Sequence, residues 1–482
     1  MATITSPGIG SGLDVNAIVS QLVALERAPI EKLQSTAKTI ETKISAYGKI
    51  QSLVSGVRDA AAALGGSTLW GRTTGTSADA TAVGVSTSGG AVAGSYSVQV
   101  NQLARAHSVA SGAFADSSAV IGSGTLRIEL GRWDAGNTTF TPGAAAAVDV
   151  TIAPGADSLA QIRDQINAAN AGVTAVIVTD VSGARLALRS TASGAENQLR
   201  ITASDAGGPL SNGVGLGQLA FNPPAGAGGL VQTQAGANAL ANINGLDIES
   251  ASNQLEGVLD GVNLTLVRPT TTPIEVTVAP DGAAMKTAIE TFVTAYNELN
   301  TYLASQTKYD EGAKKGATLQ GDSAAISLRN QFRSLLGGTS EASTVFTRLS
   351  DIGFDVQRDG SIKLDTAKLD GALADLPEIS RLFSASDPLY APGDGFATRL
   401  RALADQLTGV DGLIASRNEG LQAQLERNED DQDRLEDRVL LFQQRLLRQY
   451  TALDTQLGKM NGLSNYVSAQ MAALAASGNS GS

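Results

Sequence analysis

The sequence lacks cysteine altogether and contains a single histidine, His107, among 482 residues. These absences exclude disulfides, thiolate nucleophiles, zinc sites built from cysteine and histidine, and catalytic sites that need two imidazoles. His107 lies in the segment QLARAHSVAS, and no GxSxG motif accompanies it, so a core or surface histidine is favoured over a catalytic triad. Walker A and HExxH motifs are also absent. The sequence therefore predicts no enzyme, no cofactor and no metal site.

Charged and aromatic residues are scarce, at 17% and 4% of the chain. Lysine and arginine number 35 against 47 aspartates and glutamates, and the net charge of −12 argues against nucleic acid or an anionic membrane surface as a partner. No stretch of 18 uncharged apolar residues occurs, and the start MATITSPGIGSGLDV lacks the pattern of a Sec signal. We therefore expect protein partners and no membrane insertion.

Both ends of the chain have helical periodicity. Near the N-terminus, Asp14 is the expected N-cap of a helix, and Pro29 is expected to interrupt this helix or to begin a second one. One face of the first helix carries Ile18, Val19, Leu22, Val23 and Leu25, and a heptad seam follows from residue 33 to residue 54. These patterns predict a long amphipathic segment that packs against another helix.

The C-terminal region predicts one helix from Leu413 to Leu457, about 68 Å long at 1.5 Å per residue. Its seam consists of Leu421, Leu425, Asn428, Gln432, Leu435, Val439, Phe442, Leu446 and Leu453. The polar pair Asn428 and Gln432 lies in the charged stretch ERNEDDQDRLEDR, which leaves a solvated face and a packed seam as alternatives. Only the apolar half, from Leu435 to Leu453, firmly predicts a packing surface.

A third helical block precedes the C-terminal helix and contains the segments TAIETFVTAYNELNTYL and SAAISLRNQFRSLLGG. A β-hairpin is predicted near residues 352–364, with Asp359 and Gly360 in a type I′ turn. Asp355 and Asp359 have DxxxDG spacing rather than the DxDxDG of a calcium loop, which favours turn chemistry over a calcium site.

The middle of the chain, from Thr73 to Asp281, has the period of two that is typical of strands with one buried face. A capping box of Ser158 and Gln161 predicts one helix among them, so that residues 124–202 are expected to form a β-β-α-β-β-β block. Residues 204–238 contain nine glycines and few apolar anchors, and we expect a long loop or a loosely built insertion there.

This organisation predicts an α+β multidomain protein, with a helical stalk whose coiled-coil-like terminal helices come from both chain ends and two β-rich head domains inserted between them. The expected parts are an N-terminal leg segment (1–40), a helical stalk domain (41–76 and 281–417), a first head (77–123 and 237–280), a second head (124–236) and a C-terminal coiled-coil leg (418–482).

Several stretches resemble one known family. The start GIGSGLDVNAIVSQLVALERAPIEKL is similar to the N-terminal signature of the bacterial flagellar filament cap family, hook-associated protein 2. The block from TLRIEL to ENQLRI resembles a module shared by that family and some flagellins. The stretches DGVNLTLVRPTTTPIEVTVAPD, IGFDVQRDGSIKLDTAKLDGALADLPEISRLF and LERNEDDQDRLEDRVLLFQQRLLRQYTALDTQLGKM resemble the family's C-terminal half. The resemblance covers nearly the whole chain and is weakest over residues 204–238.

The resemblance implies a non-enzymatic protein without a cofactor that caps the distal tip of the flagellar filament and promotes folding and insertion of exported flagellin. It implies secretion through the flagellar type III pathway and a ring homo-oligomer, a pentamer on the filament. Further implied partners are flagellin, the hook–filament junction protein and a cytoplasmic export chaperone. Alternatives are another flagellar axial or junction protein, and an adhesin whose head binds host glycans.

By the same resemblance, residues 8–25 and 435–471 contact the filament or the junction, and the C-terminal helix also binds the export chaperone. Purely intramolecular helix packing remains the alternative role for these positions. The candidate partner-binding residues are Ile18, Leu22, Leu25, Leu435, Val439, Phe442, Leu446, Leu453 and Leu457.

Overall fold

The computed structural model describes residues 14–223, 229–312 and 314–478, with side chains as far as residue 473. Residues 8–13 of the expected N-terminal contact segment lie outside this range. The chain divides into two compact units, one formed by Met1–Leu69 with Ala283–Ser482 and the other by Trp70–Gly282.

The helices supply most of the first unit. In chain order they are α1 (Val15–Gly65), α2 (Ser67–Trp70), α3 (Leu159–Ala168), α4 (Gly282–Thr307), α5 (Ser323–Leu336), α6 (Thr366–Ala372), α7 (Leu376–Ser384), α8 (Phe396–Thr408) and α9 (Leu413–Gly478).

The strands lie mainly in the second unit. They are β1 (Thr73–Ser77), β2 (Val83–Thr87), β3 (Gly94–Gln102), β4 (Ser108–Ala110), β5 (Gly124–Trp133), β6 (Phe140–Pro142), β7 (Val148–Ile152), β8 (Val173–Asp180), β9 (Gly183–Ser190), β10 (Gln198–Asp205), β11 (Gly208–Pro209), β12 (Val231–Gln234), β13 (Ala239–Ile243), β14 (Leu246–Ser250), β15 (Gln254–Leu259), β16 (Val262–Leu266), β17 (Ile274–Pro280), β18 (Tyr309–Asp310), β19 (Lys315–Gly316), β20 (Phe354–Val356) and β21 (Ile362–Leu364).

Helix α1 begins as predicted and continues where a break was expected. The Asp14 side chain accepts a hydrogen bond from the backbone N–H of Ala17 at 2.9 Å, which makes Asp14 the N-cap. The helix then runs for 51 residues with Pro29 inside it, so the expected interruption at Pro29 is wrong. Proline costs an interior helix about 3 kcal/mol. Burial of Val23 and Ile30 on either side of the proline offsets that cost and keeps the helix whole.

Helix α9 starts at Leu413, as predicted, but extends to Gly478 rather than ending at Leu457. Its 66 residues correspond to about 100 Å. Helices α5, α7 and α8 pack against α1 or against this long helix, around an aromatic core. The largest fully buried side chains of that core are Tyr47, Phe292, Tyr296, Phe332, Phe354, Phe383 and Phe396.

The predicted β-hairpin is present, but its turn differs from the expected type I′. Strand β20 pairs with β21 in antiparallel register, with Val356 opposite Ile362. The loop is closed by hydrogen bonds from Gly360 N–H to Gln357 O and from Gln357 N–H to Ser361 O. Gly360 has a φ of 87°, whereas Asp359 stays outside the left-handed region that type I′ requires at both central positions. Because the loop is longer than a two-residue type I′ turn, Asp359 does not need a positive φ.

The second unit contains two cores. The first lies between the sheet β1-β17-β3-β13-β14 and the sheet β15-β16-β2, and its buried side chains include Val98, Val100, Leu264, Val276 and Val278. The second lies among the sheet β11-β10-β5-β6 with β7 beside β5, the sheet β12-β4-β9-β8 and helix α3. The predicted capping box is confirmed, because Gln161 N–H donates to Ser158 Oγ and Ser158 N–H donates to the Gln161 side chain.

Two expectations about the second core need correction. The boundary expected at residue 123 lies too late, because β4 pairs with β9 and Val109 is buried among the residues of the second core. The stretch 204–238 is more than a loose insertion, since Phe221 exchanges two backbone hydrogen bonds with Ile201. Its apolar residues Leu216, Leu219, Phe221 and Leu230 are buried in the same core.

Candidate interaction surface on the terminal helices

The two terminal helices form an antiparallel pair. Glu26 of α1 lies 3.8 Å from Arg438 of α9, measured between the Glu26 Oε2 and Arg438 Nη2 atoms. Further along α1, Tyr47 shares the carboxylate of Asp322 with Arg417 of α9. Residue numbers therefore rise along α1 as they fall along α9, which places Val15 at the start of α1 in the same cluster as Tyr450 of α9.

The apolar seam of this pair is buried between the helices. Val439 and Leu446 are 3% and 9% exposed, and they pack with residues of α1. Leu22, Leu435 and Phe442 are half-buried at the edge of the same cluster. The buried residues contributed by α1 are Val15, Val19, Val23 and Ile30. Val439 and Leu446 thus serve intramolecular packing in this structure, and their partner binding stays a prediction.

The remaining candidate residues differ in solvent exposure. Leu25 is 73% exposed, so the expectation that it shares the packed face with Val19 and Val23 is wrong. The reason is that Leu25 lies between Val23 and Ile30 on a different side of the helix from both. Leu453 is 43% exposed, while Ile18 and Leu457 are half-buried.

Asn428, the first residue of the polar pair in the seam, is packed rather than solvated. Asn428 is 7% exposed, and its Oδ1 accepts a hydrogen bond of 2.7 Å from Gln432 Nε2. The seam therefore continues through the charged stretch, where this hydrogen bond gives the buried oxygen of Asn428 a partner.

An apolar stripe continues on α9 beyond its overlap with α1. Val15, the first residue of α1, packs in the same cluster as Tyr450. Further along α9, Leu453, Met460, Leu463, Tyr466, Val467 and Met471 are all more than 40% exposed. This stretch, residues 453–471, is called the free stripe below. The region 435–471 implied by the resemblance includes this stripe, but none of its residues beyond Leu457 was among the candidate partner-binding residues. Steps of seven, seven and four residues from Leu453 to Met460, Val467 and Met471 carry the signal that could have identified them.

A buried polar cluster holds α9 to α1 and α5 at the other end of the pair. Tyr47 Oη donates to Asp322 Oδ1 at 2.6 Å, and Arg417 Nη2 donates to Asp322 Oδ2 at 2.7 Å. Asp322 also caps α5 by accepting from the backbone of Ala324 and Ala325. Burial raises the pKa of the Asp322 carboxyl, but the hydrogen bonds from Tyr47 and Arg417 outweigh it and lower the pKa overall. Burial also raises the pKa of the Tyr47 hydroxyl. The cluster therefore keeps one negative and one positive charge paired inside the unit.

His107 lies in the second core rather than in a cleft with nucleophile and acid partners. Its Nδ1 accepts a hydrogen bond from the backbone N–H of Leu199 at 3.1 Å, and its ring stacks at a tilt 5.3 Å from Phe221. Burial lowers its pKa, so the imidazole is neutral at physiological pH. Asp359, singled out beside the hairpin, accepts hydrogen bonds from the backbone and hydroxyl of Ser361, which is turn chemistry.

The described part of the chain contains neither a membrane-spanning helix nor a metal-binding cluster. Within residues 14–223, 229–312 and 314–478, no helix is both long and apolar enough to cross a membrane. Over the same residues, no cluster of three histidine, cysteine, aspartate or glutamate side chains could hold a metal ion.

Comparison with known proteins assigns the family. The profile of the flagellar hook-associated protein 2 N-terminus matches residues 11–107, and that of its C-terminus matches residues 236–462. The B-type flagellar hook-associated protein 2 of Pseudomonas aeruginosa is 32% identical over 487 residues, covering 97% of this chain and 98% of that protein. The chain belongs to the hook-associated protein 2 family. The Escherichia coli hook-associated protein 2 is 29% identical and covers 98% of each chain.

The family assignment extends to the fold and to the middle of the chain. A crystal structure of the D1-D2-D3 domains of the flagellar cap protein from Escherichia coli has a TM-score of 0.60 to this structure at 28% identity. It covers 78% of this chain and 99% of that one. The flagellin hook IN motif matches residues 134–192, inside the block that resembles some flagellins. The predicted fold class, terminal helices around β-rich domains in a hook-associated protein 2, is confirmed.

Proposed function

We propose that this protein caps the distal tip of a bacterial flagellar filament and promotes folding and insertion of exported flagellin. The supporting observation is the full-length likeness to hook-associated protein 2, which includes both terminal helices. The glycan-binding adhesin has no comparable support. By this proposal the protein is a structural assembly factor that acts through surfaces rather than through a catalytic group.

The division of the chain into legs, stalk and heads belongs to the same proposal. The legs are residues 1–40 and 418–482, the stalk is residues 41–76 and 281–417, and the heads lie between them. Two observations favour this reading: α1 and α9 pair along a seam of their own, and the second unit has separate cores.

The free stripe is the proposed attachment surface for filament, junction and export chaperone. Several large apolar side chains in a row on one exposed helix are unfavourable in water unless a partner covers them. Such a helix suits two successive partners: first a chaperone that shields the apolar residues, then the filament tip. Leu453 and Leu457 lie at the start of this stripe, next to the paired region that contains Val439 and Leu446.

The remaining partners follow from the same role. A cap on a helical filament must touch several subunits at once, so we propose a ring of copies, with five on the filament. Flagellin is the client, and the protein reaches the tip through the flagellar type III pathway. None of these contacts requires a cofactor or nucleic acid.

Electron microscopy of filament tips tests the proposal. A strain that lacks this protein is compared with the same strain supplied with purified protein, unaltered or shortened to end after Tyr450. We expect tip density only with the unaltered protein, since the shortened chain keeps the seam but lacks the free stripe. Bare tips after addition of folded unaltered protein would contradict tip capping. Equal tip occupancy by the shortened chain would contradict attachment through the free stripe.

A further inference from the structure

The exposed charges of α9 are separated by sign over the region that pairs with α1. Four arginines follow one another at steps of seven, four and seven residues, which keeps them on one side of a helix with 3.6 residues per turn. We call these residues the basic flank: Arg427, Arg434, Arg438 and Arg445. Four acidic residues follow at steps of three, four and three, and we call them the acidic flank: Glu426, Glu429, Asp433 and Glu436. All eight are exposed.

The two flanks lie on opposite sides of α9. Glu436 lies two residues from both Arg434 and Arg438, which is about 200° around a helix. The seam residues Leu435 and Val439 lie between the flanks and face α1. Helix α9 therefore presents one positive and one negative side over the same turns.

The positive side carries a groove between the two helices. Its volume is about 610 Å³, and it is lined by Pro29, Lys32, Leu33 and Thr36 of α1 and by Asp431, Arg434, Leu435 and Arg438 of α9. The lining contains two leucines, three cationic side chains and one carboxylate. Arg434 and Arg438 are 76% and 70% exposed, and they pair with Asp431 and Glu26 at the surface. Exposed ion pairs of this kind contribute little to stability, so an incoming acidic partner can replace them.

The negative side offers a matching ridge. Leu440, 55% exposed, lies four residues after Glu436 and seven after Asp433, which places it on the acidic flank. An apolar residue bordered by carboxylates complements a groove whose leucines are bordered by arginines and a lysine. The two flanks occupy the same turns of α9. Two parallel copies can therefore bring the basic flank of one against the acidic flank of the other without an axial shift.

We infer that the basic groove of one copy receives the acidic flank of the next copy, in a head-to-tail contact between neighbouring helix pairs. The inference rests on the proposed cap function, because a ring needs a contact between two different surfaces of the same chain. Such a heterologous contact closes into a ring when its rotation allows, whereas a self-complementary patch stops at a dimer. The contact is electrostatic at its rim and weakens as salt increases.

Charge reversal tests the contact in solution. R434E/R438E reverses the two arginines that line the groove, and E429K/E436K reverses two of the four carboxylates of the acidic flank. Each double variant removes the net charge of one flank and should weaken self-association by about tenfold in analytical ultracentrifugation. The variant with all four changes exchanges the charges at these four positions and should associate within about threefold of the unaltered chain. The matched control K308E/K315E changes the net charge as much as R434E/R438E does, at exposed sites outside α1 and α9, and should leave self-association unchanged. Full association of either double variant, or failure of the folded fourfold variant to recover, would overturn the inference.

Cross-linking on filament tips tests the same contact without relying on association in solution. The chain has no cysteine, so introduced thiols react alone. R438C/E429C places one thiol on each flank, and a short bismaleimide should give a ladder of linked copies. The control R434C/R438C places both thiols on one flank and should give none. No ladder from R438C/E429C, or an equal ladder from the control, would overturn the contact between flanks.

The two tests separate this inference from the proposed function. Unaltered protein that fails to occupy tips contradicts capping, whatever the charge variants do. R434E/R438E that keeps full self-association but loses tip binding would assign the groove to a filament subunit, which overturns the contact between copies while leaving capping intact.

Discussion

A single imidazole in the whole chain makes its protonation unusually simple to follow. His107 is fully buried, and its Nδ1 already accepts a backbone hydrogen bond, so protonation would leave a charge in the core and break that bond. Its folded pKa is lowered by burial, and the unfolded value is about 6.5. Below that unfolded pKa the unfolded chain binds the proton more readily, so this site destabilises the second core as pH falls. Above it the contribution disappears.

The first prediction is that the lone histidine signal in proton NMR does not titrate near pH 6.5. We expect the imidazole resonance to stay at its neutral position as pH falls, until the second unit itself unfolds. His107→Ala should fold with a loss of stability, and flagellar function should be retained while the chain stays folded. A reversible titration at or above pH 6.5 in the folded protein would contradict the buried neutral imidazole.

The second prediction concerns Asp322, whose side chain is 4% exposed. Asp322→Ala removes a helix cap and leaves Arg417 without its partner, and we expect a loss of about 2–4 kcal/mol in the free energy of unfolding. Tyr47→Phe removes one hydrogen bond and should cost about 1 kcal/mol. Urea unfolding followed by helical circular dichroism measures both. Additive losses in the double variant would show that the cluster does not act as a unit.

Acid should weaken the same cluster. The folded pKa of Asp322 is lowered, so its stabilisation is present above the unfolded value of about 3.9 and is lost as pH falls through the folded value. His107 and Asp322 therefore act at different ends of the acidic range, His107 below about pH 6.5 and Asp322 below about pH 4.

At the scale of helices, the antiparallel pairing of α1 and α9 is the feature that the buried seam stabilises. The third prediction is that Val439→Asp with Leu446→Asp separates the pair, because each buried charge costs about 2–5 kcal/mol. The control Gln444→Asp with Gln449→Asp adds the same charge at exposed positions. Thermal unfolding should shift strongly for the first variant and little for the second. Equal shifts would contradict the buried seam.

The fourth prediction is that a chain ending after Gln432 keeps its second unit but no longer binds tips. The two cores of that unit consist of residues between 82 and 278, none of which lies in α9. Limited proteolysis should release the same resistant fragment from the shortened and the unaltered protein. Loss of that fragment, or undiminished tip binding, would contradict the division between attachment helices and head.

Periodicity predicted the existence and type of most elements, and local chemistry predicted their starts. Capping and helical spacing act within a few residues. The N-caps Asp14 and Ser158 and the helix start at Leu413 could therefore be identified. The continuity of α1 through Pro29 was not predictable, since the compensating contacts come from a helix about 400 residues later in the chain. The glycine-rich stretch was misjudged for a related reason: four well-separated apolar residues suffice to anchor it once a core is already present.

At the scale of the whole molecule, the fold and the family could be predicted from sequence, whereas the surfaces could not be located in detail. The nine candidate residues were the apolar positions at helical spacing in the terminal regions that the resemblance implicates. Neither spacing nor resemblance can tell an intramolecular seam from an exposed one. Exposure distinguishes Val439 and Leu446 from Leu25 and Leu453. The free stripe and the charged flanks became identifiable only when the overlap between α1 and α9 was known.

The most direct test of tip capping is an immunoblot that partitions flagellin between culture medium and sheared filaments. Subunits that leave an uncapped channel dilute into the medium before they can insert. A strain without this protein should therefore retain its hooks, release most flagellin as monomer and grow few filaments. Unaltered protein added outside the cells should return flagellin to the filament fraction, and Val439→Asp with Leu446→Asp should not. Normal filaments in the deletion strain would contradict the cap function.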